Sequence, residues 1–219
     1  RHGMDASPLA GGQSLVPMMN FRMARPEHVI DLNAISELAG IIPGEEWTYI
    51  GAMTRHHHVA MAPEVRDHLP LLAFAAGTIG HYAIRQRGTI GGSLVQADPA
   101  GQIPLVAMAL DAEVLITSAS GERCVPIADF LIFAMDVALE EGELVTAVRF
   151  PNQPPGGRWG FELFSRRHGD YAVASLALSF ALNPSGAIVG FRVAIGGTAP
   201  VPHRLRDLEA AQEGVVPDA

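Results

Sequence analysis

The chain contains no lysine, so all fifteen of its basic side chains are arginine. A P-loop needs a lysine for nucleotide phosphates and a pyridoxal enzyme needs one for its Schiff base, so both classes are excluded. The arginines are scattered along a chain whose net charge is −8, and they form no basic stripe. Because a nucleic-acid backbone requires such a stripe, we expect no nucleic-acid partner.

Cysteine occurs once, at Cys124. The chain alone therefore cannot supply an internal disulfide, a zinc cage or the ligands of an iron–sulfur cluster. No apolar stretch is long enough to cross a bilayer, and the N-terminus lacks the charged-then-apolar pattern of a signal peptide. These absences predict a protein with no transmembrane segment in a reducing compartment, and we expect it in the cytoplasm.

The chain has 219 residues, of which 48% are hydrophobic, enough to bury one large core or two small ones. Short β-prone runs mixed with helical patterns favour an α+β or mixed α/β fold. The predicted strands are 29–32, 46–50, 112–117, 123–126, 144–150, 173–182 and 187–195. Helices are predicted from a Thr54 cap, over 63–77 and from Arg204. The Pro- and Gly-rich segment 151–158 predicts a domain boundary.

Two glycine pairs interrupt apolar segments, in AGGQS at residues 10–14 and in GTIGGS at residues 88–93. Glycine pairs allow backbone N–H groups to face a ligand at close range, and such loops bind anions. Together, and without lysine, they predict one extended diphosphate held from both sides by backbone dipoles, so a dinucleotide is the expected ligand. Neither loop has the G-x-G-x-x-G spacing of a Rossmann site.

Several other groups favour structural roles. His56, His57 and His58 are adjacent and would point in different directions on a helix, so we expect a solvated helix face and no metal site. Asp98 precedes Pro99 and is expected to cap its loop rather than to catalyse. No serine has the G-x-S-x-G frame of a hydrolase. We therefore predict no catalytic side chain.

Three segments carry a family resemblance: AGGQSLVPMMNFRMARPEHVIDLN, IGHYAIRQRGTIGGSLVQADPAGQIPLVAMALDAEVLI and FSRRHGDYAVASLAL, in this order. They resemble the medium, FAD-binding subunit of molybdenum hydroxylases, a family that includes carbon monoxide dehydrogenase flavoproteins and the flavin domain of xanthine dehydrogenase. The resemblance implies a PCMH-type FAD-binding fold of two α/β subdomains over residues 1–152. It also implies a C-terminal domain of antiparallel β-sheet plus helix over residues 158–219. Residues are expected to be missing at both ends, notably from a C-terminal helical region.

The resemblance implies two walls that hold the pyrophosphate and ribityl chain of FAD. The first wall consists of Ala10, Gly11, Gly12, Gln13, Ser14 and Leu15, and the second of Thr89, Ile90, Gly91, Gly92 and Ser93. Val145 and Tyr171 fall where family members border the isoalloxazine ring, and Asp170 is adjacent to Tyr171. Ile79 falls where some members place an aromatic side chain against the cofactor.

Two predicted site residues depart from the family pattern. Gln102 stands where members commonly carry Asp or Glu, which accepts a hydrogen bond from a flavin hydroxyl. An amide oxygen accepts without the assistance of a charge, so we expect a weaker contact. Glu162 occupies a position that is lysine in the animal enzymes, near the pyrimidine edge of the flavin, so it would not stabilise a reduced flavin anion.

The family resemblance implies an electron-transfer subunit rather than a complete enzyme. FAD would receive electrons from a small subunit with two [2Fe–2S] clusters, and a large subunit with a molybdenum cofactor would oxidise the substrate, in a dimer of heterotrimers. The electrons would leave for an external acceptor, and the redox chemistry would belong to the cofactors. The substrate and the acceptor stay open. Two alternatives are a stand-alone flavin oxidase of the vanillyl-alcohol-oxidase superfold and a non-enzymatic interaction module in which both glycine pairs are ordinary turns.

Overall fold

The computed structural model describes residues 6–167 and 169–217. Over these ranges the strands and helices are, in chain order, β1 (Ala6–Leu9), α1 (Leu15–Asn20), β2 (His28–Asp31), β3 (Ile41–Pro43), β4 (Trp47–Gly51), α2 (His56–Met61), α3 (Pro63–His68), α4 (Pro70–Thr78), α5 (Tyr82–Arg87), α6 (Ile90–Gln96), α7 (Gln102–Ala109), β5 (Glu113–Ser118), β6 (Gly121–Pro126), α8 (Ile127–Phe130), β7 (Leu131–Phe133), β8 (Asp136–Val137), β9 (Leu144–Pro151), β10 (Arg158–Phe164), β11 (Ala174–Leu182), β12 (Ile188–Gly196), β13 (His203–Arg204) and α9 (Arg206–Gln212). The fold is therefore a mixture of helix and sheet, and the predicted class is confirmed.

The first half of the chain is built around a five-stranded antiparallel sheet. Its strands lie in the order β3-β4-β9-β5-β6, so β9 returns from later in the sequence to separate β4 from β5. The predicted hairpin at residues 112–126 is confirmed as the β5–β6 pair. Beside this sheet, β1 and β2 form a separate parallel pair. The first glycine loop leaves the end of β1.

Two helix predictions need correction. The helix predicted over 63–77 is broken into α3 and α4, because Leu69 adopts an extended φ of −137° before Pro70. A proline ring disfavours helical geometry in the residue before it and removes a backbone donor. Thr54 does not cap α2, which begins at His56 after Arg55. Its buried hydroxyl instead bonds the backbone N–H and C=O of Gly40, each at 3.0 Å.

The second half of the chain forms a four-stranded antiparallel sheet in the order β10-β11-β12-β13. The predicted long hairpin is confirmed as β11 and β12, and Asn183 closes its turn by accepting backbone N–H bonds from Ser185 and Ala187. Helix α9 packs on β12. The loop between β9 and β10 separates the two main sheets along the chain.

Helix α7 joins the two halves. It carries no charged side chain, and every residue from Ile103 to Ala109 is buried. It packs against α4 and α6 on one side and against β11 and β12 on the other. A helix that is hydrophobic on every face is buried by its neighbours on every face. Ala177 and Ala194 of the four-stranded sheet accordingly belong to the same hydrophobic cluster as the buried residues of the five-stranded sheet. No helix in the described ranges is long and apolar enough to span a bilayer.

Candidate functional site

Both predicted glycine loops open onto one cavity of about 510 Å³, a size typical of small-molecule sites. The first loop lines it with Ala10, Gly11, Gly12, Gln13, Ser14 and Leu15, and the second with Thr89, Gly91, Gly92 and Ser93. Four predicted residues from other elements complete this set, namely Ile79, Gln102, Val145 and Tyr171. The two loops therefore serve one site, although α1 to α5 separate them along the chain.

Three predicted site residues do not line this cavity. Ile90 is fully buried in the hydrophobic core beneath the second loop. Glu162 is exposed on β10, where its neighbour Phe161 packs against Phe74 of α4, so alternation along the strand turns Glu162 to the opposite face. Asp170 is exposed, and its backbone N–H bonds the carbonyl of Arg167.

The two loops touch through their backbones. A Cβ atom on Gly11 would lie 2.1 Å from the carbonyl oxygen of Arg87, immediately before the second loop. A Cβ atom on Gly92 would lie 3.8 Å from the Cβ of Ala10. Gly12 has a φ of +73°, which only glycine adopts readily. Glycine is thus required at position 11 for the close approach of the loops and at position 12 for the backbone conformation.

The first loop presents backbone donors to the cavity. None of its amides at positions 11–15 donates a hydrogen bond to an acceptor within the described residues, whereas the carbonyls of Gly11, Gly12 and Ser14 accept bonds from Gln13, Val16 and Met18. The side chain of Gln13 is one of these donors, through its Nε2 at 3.2 Å from the Gly11 oxygen. Unbonded amide groups in a loop that lines a cavity are donors that an anionic ligand could use.

The second loop differs from our prediction of a second amide cradle, because its residues from Ile90 onward form the first turn of α6, which Thr89 caps. All four amides from Ile90 to Ser93 are already bonded, to Thr54 O, Ala52 O, Thr89 Oγ1 and Thr89 O, at 2.9–3.1 Å. Gly91 also packs so tightly that an added Cβ would lie 2.5 Å from the Cβ of Ala52. This loop therefore offers the cavity the hydroxyl groups of Thr89 and Ser93 and a bare glycine surface.

Arg55 connects the two loops from outside the cavity. Its Nη1 donates to the carbonyl of Arg87, and its Nη2 donates to Oδ1 of Asn33 at 2.6 Å. The amide of Asn33 in turn donates to the carbonyl of Ala10 at 3.0 Å. One guanidinium group thus bridges the first loop, through Asn33, and the segment before the second loop.

His56 lies beneath the second loop, and the prediction of a solvated helix face was wrong for this residue. It is only 4% exposed, whereas His58 is exposed as predicted. Burial lowers the pKa of His56 to about 4, so the imidazole is neutral at physiological pH. The sequence signal was the helical spacing to Val59 and Ala60, which share its buried face.

Asp98 caps its loop, as predicted, by accepting a bond from the backbone N–H of Ala100 at 2.9 Å. It also lines the cavity near Tyr171. Desolvation, followed by the charge of Asp98, raises the pKa of the Tyr171 hydroxyl. The phenol is therefore protonated at neutral pH and available as a hydrogen-bond donor.

Glu143 is a cavity residue that the sequence analysis missed. Arg123 binds its carboxylate through two bonds of 2.6 Å, and the backbone N–H of Glu140 donates to it at 2.7 Å. These bonds lower the pKa of Glu143 to about 2, and the bonds from Arg123 have the largest effect. The ion pair fixes the turn that precedes Leu144 and Val145 in the cavity wall. Arg123 lies on β6, 20 residues before Glu143, so no local spacing in the sequence indicates this ion pair.

Comparison with known families identifies this architecture. Residues 1–153 match the family described as the FAD binding domain in molybdopterin dehydrogenase. The chain belongs to this family. FAD is therefore the cofactor of the domain, and the domain is part of an oxidoreductase, as the sequence resemblance implied.

The relatives of this FAD-binding domain are subunits of dehydrogenase complexes. The chain is 41% identical over 207 residues to the 6-hydroxypseudooxynicotine dehydrogenase complex subunit alpha of Paenarthrobacter nicotinovorans. The matched region covers 94% of this chain and 70% of that protein. It is 39% identical over 199 residues to the carbon monoxide dehydrogenase medium chain of Hydrogenophaga pseudoflava, which covers 90% of this chain and 69% of that protein.

Solved structures agree with these sequence relatives. A carbon monoxide dehydrogenase structure from Hydrogenophaga pseudoflava superposes with a TM-score of 0.95 at 38% identity, over 99% of this chain and 75% of that one. Quinoline 2-oxidoreductase from Pseudomonas putida 86 gives a TM-score of 0.92 at 34% identity, over 98% of this chain and 74% of that one. The similarity extends beyond the matched FAD domain into the second sheet.

The geometry of the cavity fits FAD. On one side lie the amides of the first loop, which have no acceptor in the described ranges and belong in part to Gly11 and Gly12, residues without side chains. Its other lining residues include the apolar Ile79 and Val145 and the aromatic Tyr171, suited to a planar ring system. The FAD-binding domain thus has unbonded backbone donors and an apolar surface along one continuous cavity.

Proposed function

We propose that this chain is the FAD-carrying electron-transfer subunit of a molybdenum hydroxylase complex. A small subunit with [2Fe–2S] clusters supplies the electrons, which a large subunit obtains by oxidising the substrate at its molybdenum cofactor, and an external acceptor removes them. The observation that carries the proposal is the convergence of both glycine loops on one cavity in a chain of this family. Bound FAD supplies the capacity to accept and release electrons.

The first loop is assigned to the pyrophosphate of FAD. Its amides at positions 11–15 donate to no acceptor in the described ranges, and a diphosphate satisfies several of them at once. No cation lines the cavity among the described residues, so backbone dipoles and hydroxyl groups hold the anion. Thr89 and Ser93 add hydroxyl donors from the second loop, and the amide of Gln102 accepts from a flavin hydroxyl.

Val145 and Tyr171 are assigned to the isoalloxazine ring, with Ile79 as a further apolar contact. Val145 is held in place by the Arg123–Glu143 ion pair two residues before it, and Tyr171 donates from a protonated hydroxyl. No side chain in this cavity needs to act as an acid or a base. The chain binds and orients the cofactor and shields part of it from water.

The partner subunits are inferred from the names of the relatives, which are medium chains or subunits of dehydrogenase complexes. Cys124 alone cannot hold an iron–sulfur cluster, so we assign the clusters to residues outside this sequence. We assign a small [2Fe–2S] subunit and a large molybdenum subunit to the complex, assembled as a dimer of heterotrimers.

The test is purification of the native complex followed by single-turnover reduction. We expect mass spectrometry to identify an iron–sulfur and a molybdenum subunit with this chain, and we expect reduction of the complex by its substrate to bleach the flavin absorbance. The isolated chain, loaded with FAD, should show no turnover with an organic donor. Turnover by the isolated chain would overturn the proposal in favour of a stand-alone flavin oxidase. Failure to bind FAD would favour an interaction module.

A further inference from the structure

His56 contacts the second loop at three positions. Its backbone N–H donates to the carbonyl of Gly88 at 3.0 Å. Its Nε2 lies 2.9 Å from the carbonyl oxygen of Thr89 and 2.9 Å from Oγ of Ser93. The ring also packs against Gly88, where an added Cβ would lie 2.7 Å from Nδ1. One buried residue therefore holds both ends of the loop.

These contacts determine the protonation state of the ring. A carbonyl oxygen only accepts, so the bond to Thr89 requires a proton on Nε2. Nδ1 is then unprotonated in a neutral ring, and it is buried without a hydrogen-bond partner in the described part of the chain. The Nε2 proton is shared between Thr89 O and Ser93 Oγ in a three-centre bond.

The tautomer also determines the direction of the Ser93 hydroxyl. Because Oγ accepts from Nε2, its own proton is left to another acceptor. Ser93 lines the cavity, and its hydroxyl donates to no other group among residues 6–167 and 169–217. The proton is thereby available to an oxygen of the ligand. With the opposite tautomer, Ser93 would donate to the ring and the contact with Thr89 O would be repulsive.

We propose that His56 is a positioning residue for FAD, which as a neutral Nε2–H imidazole fixes the second loop and turns the Ser93 hydroxyl toward the cofactor's phosphates. This assignment rests on the proposed function, in which the cavity binds FAD. His56 borders the cavity but is only 4% exposed, and it acts through Thr89 and Ser93.

The surroundings of His56 oppose its protonation. The charged groups that act on the ring are Arg55, from its own helix, and Arg85, from α5, and both are cationic. Helices α4 and α6, which lie close to the ring's helix and to the loop, carry no ionisable side chain, and the charges of α3 do not act on the ring. A second proton, on Nδ1, would create a buried cation without an acceptor among the described groups.

The first experiment compares His56→Gln with His56→Leu. The glutamine amide places an N–H donor near the position of Nε2, whereas leucine removes the donor. Titration of the apoprotein with FAD, followed by flavin fluorescence at pH 7.5, should show affinity within about threefold of wild type for His56→Gln and about tenfold weaker for His56→Leu, the effect of one buried hydrogen bond. His58→Gln and His58→Leu, on the exposed side of the same helix, are the matched controls and should bind as wild type does.

Two measurements on the chain without FAD separate this proposal from the proposed function. Nitrogen-15 NMR of the wild-type imidazole should show the Nε2–H tautomer at pH 7.5. Hydrogen exchange of peptides that cover residues 88–93 should be faster in His56→Leu than in His58→Leu, and at the wild-type rate in His56→Gln.

The outcomes are distinct. If wild type fails to bind FAD while the tautomer and exchange results hold, the proposed function falls, and so does the role of His56 toward FAD, although its hold on the loop stands. If wild type binds FAD and His56→Leu binds equally tightly, the His56 proposal is overturned alone. If His56→Leu does not fold, the wild-type tautomer decides: an Nδ1–H or charged ring overturns the proposal, and rescue of folding and FAD binding by His56→Gln supports it.

Discussion

A Cβ atom on Gly11 would lie 2.1 Å from the carbonyl oxygen of Arg87, so the two loops of the FAD cavity meet without a side chain between them. The first loop supplies free amides and the second supplies hydroxyl groups. Their separation therefore sets the distance between the two kinds of donor. A change of a few tenths of an ångström at this contact alters both halves of the anion site.

Gly11→Ala should weaken FAD binding by roughly tenfold to a hundredfold, because relief of the clash costs about 1–3 kcal/mol and displaces one loop from the other. The measurement is flavin fluorescence titration of the apoprotein. Gly77→Ala is the control, since Gly77 is exposed in α4 and an added Cβ would only reach ordinary contact, 3.9 Å from Ala60. Equal affinity in the two variants would contradict the close loop contact.

Arg55→Met should weaken FAD binding by about fivefold to tenfold, since it removes the charged donors that bridge the loops while leaving them folded. High salt should have little additional effect on the variant. Arg158→Met removes an exposed arginine on β10, outside the cavity lining, and serves as the control. If both arginine variants lose affinity equally, general electrostatic attraction rather than the bridge is responsible.

The stability of the chain should depend on pH through His56. Its pKa of about 4 in the folded chain lies below the ordinary 6.5, so the unfolded chain binds the proton more readily between these values. The free energy of unfolding is not reduced by His56 above pH 6.5 and decreases as the pH falls below this value. At about pH 4 the loss amounts to roughly 3 kcal/mol. Urea unfolding at stepped pH values should show this loss in wild type and not in His56→Gln. Parallel profiles for the two proteins would exclude it.

Glu209→Gln should destabilise the second half of the chain by about 2 kcal/mol, because it leaves the buried guanidinium of Arg204 with Asp111 as its remaining carboxylate partner. Glu209 also accepts the backbone N–H of Val193 at 2.9 Å and is only 8% exposed. Thermal unfolding monitored by circular dichroism measures the effect. Asp207→Asn, an exposed carboxylate on the same helix, should change stability by only a few tenths of a kcal/mol.

The glycine loops were predictable from sequence because the information is local: a pair of residues without Cβ next to a hydroxyl. Which of their amides are already hydrogen-bonded depends on residues that are distant in sequence. The amides of Ile90 and Gly91 are bonded by Thr54 and Ala52, which the sequence places more than thirty residues earlier. No spacing rule could therefore separate the loop with free donors from the loop without them.

Three further differences from prediction have different origins. The 3.6-residue apolar period continues across Pro70, but the proline ring breaks the helix there. The burial of His56 follows from tertiary packing under the second loop, and only the apolar Val59 and Ala60 at helical spacing indicated it. Glu162 was placed by family position, but alternation along β10 turns its side chain to the face opposite Phe161, and it does not line the cavity.

The apolar helix α7 limits where this chain can be truncated. Gln102, at its first residue, lines the cavity, while the rest of the helix is covered on one flank by β11 and β12. A chain that stopped at Pro151 would leave that flank open to water and prone to self-association. A soluble fragment of the flavin half therefore needs the second sheet with it, even though no residue of that sheet's strands lines the cavity in the described ranges.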